Sequence, residues 1–333
     1  MSHSIHDYDY HLPQERIAQR PAEPRDHSRL LVYDRKDGSI RDDLFYNIGR
    51  YLPKNSALVV NNSKVERCRL LFHDEKTEIF VTRTIDPRTV EAMVRPGKRF
   101  KPGKTTALSG GIFAETLSVS KDGLRRIRLS EEVDSHHLDP FRHTPFPPYI
   151  ERDESLSERY QTVYAQDEGS KAAPTAGLHF TPGLMQQLES SGFTFCEVTL
   201  HVGLGTFAPV KTDTISEHIM HSEWFQVGEE QAEKLRGQTE LTAVGTTSVR
   251  VLESIAAENR HFLPQSGDTD IFITPGYTFR HVDHLITNFH LPKSTLLMLV
   301  AAFTGLDEMH RIYRHAIEQE YRFYSFGDAM LLL

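Results

Sequence analysis

The sequence predicts an α/β protein in which a mixed-sheet domain is interrupted by an inserted small antiparallel β-barrel. After Tyr149, strand-like and helical segments alternate, as they do in α/β sheets. From Arg69 to about Val133, short strands are broken by turn sequences and show no helical periodicity, which is typical of a small antiparallel sheet or barrel. The strands before Asn61 have too few helices to form a domain alone, so we expect them to join the C-terminal part.

The length and the turn pattern set the domain boundaries. A chain of 333 residues is too long for one small domain, so two domains are expected. The proline-rich run at 143–148 (HTPFPP) is typical of a boundary. We therefore predict a discontinuous α/β domain over residues 1–62 and 149–333 and an inserted all-β domain over residues 63–148.

Local signals place the elements on both sides of the insertion. Alternating apolar residues predict a strand over 29–34, a hairpin turn follows at 36–38 (KDG), and Asp43 is expected to cap a helix. Thr181 followed by Pro182 predicts another helix start. Further strands are predicted over 57–60, 193–202, 222–227, 241–244 and 270–274, and helices over 229–236, 248–259, 295–305 and 308–320.

Composition excludes several classes of protein. With 38% hydrophobic and 25% charged residues, the chain can bury a core and is not disordered. Two cysteines, Cys68 and Cys196, cannot build a disulfide framework or a thiolate metal cage. The N-terminus lacks the apolar core of a signal peptide, and the longest apolar run, 296–303, is shorter than the ~20 residues of a membrane span. We therefore expect a cytoplasmic protein that does not contact a membrane.

Two glycine-rich runs, each with one histidine, are the most informative local feature. They are GSKAAPTAGLHFTPG (169–183, with His179) and VTLHVGLGTFAPV (198–210, with His201), and they bracket one helix. Glycines around a lone histidine let backbone approach a ligand closely. Either run alone is better explained by an ordinary loop with a satisfied histidine, but the pair around one helix favours a binding site.

Further groups of polar residues are candidates. The turn 245–248 (GTTS) lies between a strand and a helix, where free N–H groups suit a carboxylate or phosphate, or where the hydroxyls simply cap the helix. Asn288 and His290 interrupt an apolar run, either as site residues or as a buried hydrogen-bonded pair. Arg25 and Asp26 suit anion recognition or a surface ion pair.

His218 and His221 lie in SEHIMHSEWF with Glu223. The metalloprotease pattern His-Glu-x-x-His is absent, so we expect no metal site here. A general base or a histidine that orients a ligand is the better interpretation.

A local basic patch could hold a nucleic acid despite the net charge of −8. Residues 95–104 read RPGKRFKPGK, with five basic residues, two Pro-Gly turns and Phe100. Basic loops with an interleaved aromatic suit RNA backbone and splayed bases, although a solvated hairpin has the same composition.

These motifs resemble the S-adenosylmethionine:tRNA ribosyltransferase-isomerase family of queuosine biosynthesis. The resemblance covers nearly the whole chain and rests on many ordered motifs. They include LPQERIAQRPAEPRDHSRLLV, VRPGKRFKPGK, FPPYIERDESLSERYQTVYA, AAPTAGLHFTPGL, VTLHVGLGTFAPV, HIMHSEWFQV, AVGTTSVRVLES, the long run from TDIFITPGYTF to MLVAAFTG, and YRFYSFGDAMLL.

The resemblance implies a function and its partners. The ribosyl part of S-adenosylmethionine would be transferred to 7-aminomethyl-7-deazaguanine at the tRNA wobble position, giving epoxyqueuosine-tRNA, adenine and methionine. S-adenosylmethionine is then a co-substrate, and no further cofactor is expected. The partners would be the tRNA anticodon stem-loop and S-adenosylmethionine, and we expect a monomer. The implied fold is an α/β catalytic domain with an inserted small β-barrel.

The reaction that the resemblance implies calls for residues in particular roles, although the resemblance does not fix which histidine takes which role. The reaction needs a base for a C5′ proton and proton transfers at the leaving adenine and the attacking amine; His179 and His201 are the leading candidates, followed by His218 and His221. The turn 245–248 would take the methionine carboxylate, Phe180 or Phe207 would stack on adenine, and residues 95–104 would hold RNA. The full set of predicted substrate-binding residues is Arg25, Asp26, Asn61, Thr175, Gly177, Phe180, Gly203, Gly205, Thr206, Thr246, Thr247, Ser248, Arg250, Asn288 and His290; the predicted RNA-binding residues are Arg95, Lys98, Arg99, Lys101 and Lys104.

One segment departs from the family pattern. The family usually has Asn-Asp-Thr-Arg-Val where this chain has Asn61-Asn62-Ser63-Lys64-Val65. We expect that the paired change replaces an ion pair by hydrogen bonds, although Lys cannot reproduce a bidentate Arg contact.

Two alternative functions stay open at this point. The departure at Asn62 and Lys64 would suit a tRNA-binding protein without catalysis, and the 18 histidines would suit a metal hydrolase.

Overall fold

The structure is a computed structural model that describes residues 4–54, 56–203, 212–255 and 260–333. The chain forms two compact units. The first comprises Met1–Lys64, Pro147–Arg152 and Glu158–Leu333, and the second comprises Val65–Phe146 and Asp153–Ser157. The segment 153–157 belongs to the second unit, whereas the predicted boundary assigns it to the α/β domain.

The described residues form eighteen strands. They are β1 (Arg29–Tyr33), β2 (Ile40–Leu44), β3 (Ala57–Asn61), β4 (Ser63–Val65), β5 (Arg69–Phe72), β6 (Thr77–Asp86), β7 (Thr89–Arg95), β8 (Thr105–Ala107), β9 (Phe113–Val119), β10 (Arg125–Leu129), β11 (Arg142–His143), β12 (Asp167–Ser170), β13 (Thr194–Leu200), β14 (Glu223–Val227), β15 (Leu241–Val244), β16 (Gln265–Thr269), β17 (His284–Asn288) and β18 (Ala329–Leu332).

Five α-helices lie among the described residues: α1 (Pro182–Ser190), α2 (Glu229–Arg236), α3 (Thr246–Ser254), α4 (Thr295–Thr304) and α5 (Leu306–Glu318). Short 3₁₀ helices cover Ile5–Tyr8, Gln14–Arg16, Arg25–His27, Phe45–Arg50, Gly97–Arg99, Ser109–Gly111, His136–Phe141, Glu154–Leu156, Thr175–His179 and Ile215–Glu217. The predicted start of α1 is confirmed, because Thr181 accepts the N–H three residues on. Ser294 caps α4 in the same way.

The first unit is built on a nine-stranded mixed sheet. Its order is β16-β14-β13-β3-β15-β17-β18-β1-β2. The four neighbouring strands β13, β3, β15 and β17 run parallel, so their carboxyl ends meet at one edge of the sheet. Ligand clefts in α/β sheets form at that edge.

Both faces of this sheet are buried, which explains why its central strands are apolar throughout. Leu58 and Val60 of β3 pack on one face with Leu184 and Leu188 of α1. Alternate residues, such as Val59, pack on the other face with residues of α2, α3, α4 and α5. A strand covered on both faces reads as a continuous hydrophobic run rather than an alternating one.

The second unit contains a seven-stranded antiparallel sheet in the order β11-β5-β6-β7-β10-β9-β8. Within the described residues, its edge strands β11 and β8 are not hydrogen-bonded to each other. The mixed α/β fold class with an antiparallel insertion is therefore confirmed, but the insertion is an open sheet rather than a closed barrel. The turn residues in the sequence predict where the strands of the insertion lie along the chain. They do not predict whether its two edge strands pair to close a barrel.

Two local predictions are wrong. Asp43 lies in β2 and does not cap a helix; its carboxylate instead accepts hydrogen bonds from Leu44, Asn47 and Tyr51, and only a 3₁₀ helix follows. The predicted strand at 270–274 is absent, and the strand lies earlier, at Gln265–Thr269, where it pairs with β14. The pairing partner, which the local pattern cannot reveal, decides the position.

Candidate active site

The carboxyl ends of β13, β15 and β17 form a cleft next to the start of α3. We call it the α3 cleft; it encloses about 680 Å³ of empty space, part of which is open to solvent. Its lining includes the hydroxyls of Thr246 and Thr247, which follow β15, and the amide of Asn288 at the end of β17. The lining residues that the sequence singled out are Thr175, Gly245, Thr246, Thr247, Asn288 and His290.

The start of α3 supplies free backbone donors to the α3 cleft. Gly245 has φ 89°, a left-handed conformation that favours glycine, and α3 begins at Thr246 without a side-chain cap. Ser248 Oγ donates to the carbonyl of Val244 at 2.9 Å. Thr247 Oγ1 has no hydrogen-bond partner in the described part of the chain. The predicted hydroxyl capping is therefore absent, and an anionic group fits this helix start better.

Asn288, at the end of β17, is held by His179. Asn288 Nδ2 lies 3.0 Å from Nε2 of His179, and His179 Nδ1 lies 2.7 Å from Oγ of Ser28. His179 is buried, and its ring packs against that of Phe45 with 5.0 Å between the centroids. It lines neither the α3 cleft nor the second cleft described below. Burial lowers its pKa to about 4, so its ring is neutral near pH 7.

His290 also lies on the wall of the α3 cleft. Its Nε2 is 2.8 Å from Thr287 Oγ1, and its backbone N–H donates to the hydroxyl of Tyr313. Burial lowers its pKa to about 3. The interpretation of Asn288 and His290 as one hydrogen-bonded pair is wrong, since each bonds a different neighbour.

A second cleft adjoins the first, and Leu296 lines both. We call it the histidine cleft; it comprises about 530 Å³ of empty space, part of which is open to solvent. It is lined by His218, Met220, His221, Glu223, Arg250, Ile271, Phe272, Ile273, Thr295, Leu296 and Leu299. The structure thus brings together His218, His221 and Arg250, three predicted site residues from two separate motifs.

His218 suits a general base at pH 7. Desolvation and the neighbouring His221 lower its pKa, which favours the neutral form. Its ring meets Phe272 edge-on, with 5.4 Å between the centroids. Phe272 is half-buried and lines the cleft, so it offers an aromatic surface to a ligand base.

Glu223 and Arg250 form a buried ion pair in the wall of the histidine cleft. Glu223 Oε1 also accepts the backbone N–H of Gly203 at 2.7 Å. Glu223 is absent from the predicted site residues. An acidic residue at an inward position of a strand with the pattern Glu-Trp-Phe-Gln-Val is the signal that could have identified it.

His201 follows β13 and lines neither cleft. Its ring stacks on that of Trp224, with centroids 5.1 Å apart and an angle of 19°. Gly169 lies against the same ring, because a Cβ at that position would be 2.8 Å from it. The glycine at 169 is therefore required by a histidine of this chain rather than by a ligand.

Three predicted site residues make structural contacts instead. Arg25 donates to the carbonyls of Gln161 and Glu158, and Asp26 accepts from the hydroxyl of Thr181 at 2.9 Å. Asn61 is fully buried and bonds both the N–H and the carbonyl of Leu200. None of the three lines either cleft.

Gly177 and Phe180 are also packing residues. A Cβ at Gly177 would collide with the hydroxyl of Tyr164. Phe180 is fully buried and meets Phe45 and Phe195 edge-on, so it cannot stack on adenine from this position. Gly205, Thr206 and Phe207 lie outside the described residues.

Asn62 and Lys64 do not replace an ion pair by a mutual contact. The amide of Asn62 donates to Glu197 and accepts from Thr199, while Lys64 bonds Glu168. The prediction of a preserved paired contact is therefore wrong. An Asp at 62 would place a second carboxylate against Glu197, which Asn avoids.

The basic loop 95–104 lies in the second unit and is only partly free. Lys98, Lys101 and Lys104 are exposed, whereas Arg99 donates to Thr77 Oγ1 at 2.6 Å and Arg95 lies 3.4 Å from Glu78. The interleaved Phe100 is fully buried, so it offers no ring to an RNA base.

An exposed aromatic does lie close to this loop along the sheet. Phe113 of β9 is 49% exposed. Glu115, two residues on, is the register partner of both Arg128 in β10 and Thr105 in β8. Over residues 95–128 the chain has nine Lys and Arg against two Asp and Glu. The sequence does not single out Phe113, because the alternating pattern of strand residues predicts many exposed positions and does not distinguish Phe113 from the others.

The described residues contain no cluster of three potential metal ligands among His, Cys, Asp and Glu. Within the same residues, no helix is long and apolar enough to cross a membrane.

Comparison with known proteins identifies the family. A family model described as queuosine biosynthesis protein matches residues 5–332. A Desulfitobacterium hafniense protein named S-adenosylmethionine:tRNA ribosyltransferase-isomerase is 46% identical over 340 residues, which cover 99% of each chain. A Symbiobacterium thermophilum protein of the same name is 47% identical over 339 residues, again with 99% of each chain covered.

A solved structure agrees. The crystal structure of S-adenosylmethionine tRNA ribosyltransferase from Thermotoga maritima matches 98% of this chain and 100% of its own, with 39% identity and a TM-score of 0.56. Sequence identity at this level over the full length, together with the matched fold, shows that the chain belongs to the S-adenosylmethionine:tRNA ribosyltransferase-isomerase family of queuosine biosynthesis and is an enzyme of that family.

Proposed function

We propose that this enzyme transfers and isomerises the ribosyl moiety of S-adenosylmethionine onto 7-aminomethyl-7-deazaguanine at the wobble position of tRNA. Epoxyqueuosine-tRNA, adenine and methionine are the products. Three bonds of the ribosyl group break, namely the N-glycosidic bond of C1′ to adenine, the ring bond C1′–O4′ and the C5′–S bond to methionine. Three bonds form in their place, from C1′ to the aminomethyl nitrogen, from C1′ to C5′ and from C5′ to O4′ of the epoxide. C5′ and the amine each give up one proton, and one proton goes to the leaving adenine. The α3 cleft and the histidine cleft adjoin at Leu296. This observation supports the proposal, because one extended substrate can occupy both clefts.

The methionine end belongs in the α3 cleft. The uncapped start of α3 presents N–H groups at Thr246 and Thr247, and its dipole favours a carboxylate there. The ribose and the adenine then extend past Leu296 into the histidine cleft. In that cleft Phe272 replaces Phe180 as the aromatic partner of the adenine.

His218 is the proposed base and His221 the second proton-transfer group. The sulfonium acidifies the C5′ protons of S-adenosylmethionine, so a neutral imidazole in the same cleft is a competent acceptor. His179 is reassigned as a positioning residue, because both of its ring nitrogens already have partners in the core. His201 is given no proton transfer in this proposal, because its ring stacks on Trp224 and lines neither cleft.

The second unit is proposed to hold the anticodon stem-loop. The exposed Lys98, Lys101 and Lys104 suit contacts with phosphates. Phe113, rather than Phe100, takes the aromatic role, because its exposed ring can stack on a splayed base.

Adenine release tests this function directly. Purified protein is mixed with S-adenosylmethionine and an anticodon stem-loop that carries the aminomethyl-deazaguanine, with unmodified RNA as the control. We expect adenine and methionine in a one-to-one ratio with the modified RNA alone. Tight RNA binding without adenine would contradict the proposal and favour a tRNA-binding protein without catalysis.

A further inference from the structure

The amide of Asn288 is oriented by its neighbours rather than by chance. Its Nδ2 faces His179 Nε2 at 3.0 Å and the backbone carbonyl of Asp328 at 3.4 Å. A carbonyl only accepts hydrogen bonds, so the amide nitrogen, not the oxygen, must point that way. His179 Nε2 is then an acceptor, its Nδ1 has the proton, and Ser28 Oγ accepts that proton.

The oxygen of this amide, in contrast to its nitrogen, has an unsatisfied hydrogen-bonding capacity within the described residues. Asn288 is 2% exposed, and its Oδ1 has no hydrogen-bond partner among residues 4–54, 56–203, 212–255 and 260–333. A buried acceptor without a partner costs free energy, and such atoms in native proteins call for an explanation. Because Nδ2 is turned towards His179, Oδ1 lies on the opposite arm of a side chain that lines the α3 cleft.

The position of this oxygen relative to α3 is set by the sheet. Strand β15 pairs in parallel with β17, with Val244 opposite Ile286, and the N–H of Gly245 donates to the carbonyl of Ile286 at 2.8 Å. Asn288 lies two residues beyond Ile286, so the start of α3 and the Asn288 amide are neighbours at the same edge. One presents N–H donors, and the other presents a fixed acceptor.

We propose that these two features together form an α-amino-acid site, in which Asn288 Oδ1 accepts a hydrogen bond from the α-ammonium of the S-adenosylmethionine methionyl group while the start of α3 holds its carboxylate. The ammonium and the carboxylate of an α-amino acid are on one carbon, which matches an acceptor beside a group of donors. The oxygen has no exposed surface in the ligand-free protein, so we expect side chains around it to shift when the ligand binds. This inference rests on the proposed function.

His179 acts in this site as a positioning residue. With Nε2 as an acceptor, it prevents the Asn288 amide from rotating by 180° and presenting Nδ2 to the ligand. A rotated amide would place two N–H donors against an ammonium, which repels it. Ser28 and His179 therefore set the specificity of Asn288 for a donor without touching the ligand themselves.

The test compares ligands that differ in one group. Binding of S-adenosylhomocysteine, of its analogue without the α-amino group and of its decarboxylated analogue is measured by calorimetry on wild-type protein and on Asn288→Leu and His179→Leu. We expect wild-type protein to bind the desamino analogue roughly 10- to 100-fold more weakly than S-adenosylhomocysteine. Asn288→Leu should abolish that difference, His179→Leu should reduce it, and both should keep the penalty for losing the carboxylate. Asn47→Ala, which alters an amide elsewhere in the first unit, should leave all ratios unchanged.

The outcomes separate this inference from the proposed function. If wild-type protein binds S-adenosylhomocysteine and its desamino analogue equally well, the Asn288 assignment is wrong while adenine release still stands. If it binds neither ligand and releases no adenine, both fail. Should Asn288→Leu not fold, the wild-type ligand series decides on its own.

Discussion

Arg250 and Glu223 pair through Nη1 and Oε2 with only 9% and 5% of their side chains exposed. Two charges removed from water in this way are costly unless each keeps its partner. The pair joins β14 to α3 and fixes the wall of the histidine cleft, and Glu223 also anchors Gly203. The Arg250–Glu223 ion pair therefore affects both the stability of the first unit and the shape of the histidine cleft.

Arg250→Met is expected to destabilise the protein by roughly 3–5 kcal/mol, because Glu223 is left as an unpaired buried charge. Urea denaturation measures the loss. The double variant Arg250→Met/Glu223→Gln should recover most of it, since no buried charge remains. Additive losses in the double variant would contradict the ion-pair account.

Gly177→Ala is expected to destabilise the protein by about 1–3 kcal/mol, because the new Cβ collides with the hydroxyl of Tyr164. Tyr164→Phe in the same chain removes the hydroxyl and should restore part of the loss, as measured by thermal unfolding. Gly183→Ala is the control, because nothing lies within 4 Å of a Cβ there. Equal effects of the two glycine variants would show that crowding is not the cause.

Stability should fall as the pH drops below 6.5. The pKa of His179 is about 4 and that of His290 about 3 in the folded chain, against 6.5 when unfolded. Below pH 6.5 these two histidines bind protons in the unfolded chain but not in the folded chain. The free energy of unfolding therefore decreases as the pH falls from 6.5 towards the folded pKa values. His179 alone should contribute a loss of roughly 2 kcal/mol between pH 7 and pH 5.

Chemical denaturation at pH 7 and pH 5 checks this sign and size. His290→Gln should flatten the pH dependence, and His136→Gln, at a fully exposed ring, should leave it unchanged. A protein that is more stable at pH 5 than at pH 7 would refute the neutral, buried histidines.

His218→Ala is expected to reduce turnover by at least ~10²-fold if His218 is the base. Since His218 must be neutral and its pKa is lowered, the rate should fall with pH only below 6.5. His221→Asn removes one cause of the lowered pKa, so the acid limb of the residual rate should move to higher pH. An unmoved limb would assign the titration to another group.

Changing Lys98, Lys101 and Lys104 together to Gln should weaken RNA binding and reduce its salt slope by about 0.7 for each phosphate that the loop no longer neutralises. Binding to the anticodon stem-loop is measured at salt concentrations from about 50 to about 200 mM, because counterion release changes the affinity strongly over that range. Changing the exposed Lys36, Lys54 and Lys76 to Gln removes the same charge elsewhere. If both triple variants have the same slope, the loop does not bind the RNA.

The sequence by itself determined the order of most elements and the family. Local signals suffice for features such as the start of α1, where Thr181 and Pro182 act within one turn. Full-length motifs suffice for the family because they are long and ordered. The glycine-rich run around His179 was interpreted as a place where backbone approaches a ligand, but its glycine at 177 lies against the hydroxyl of Tyr164.

Only the tertiary structure decided which polar residues share a cleft. His179 leads the sequence-based candidates, yet it lies in the core. Glu223 and Phe272 line the histidine cleft, although nothing in the sequence near either residue shows that the two share a cleft. Gly245 and Asn288 are neighbours because β15 and β17 pair in parallel, a relationship between segments more than 40 residues apart. Hydrogen bonding and burial at such distances along the chain depend on sheet order, which short-range patterns do not encode.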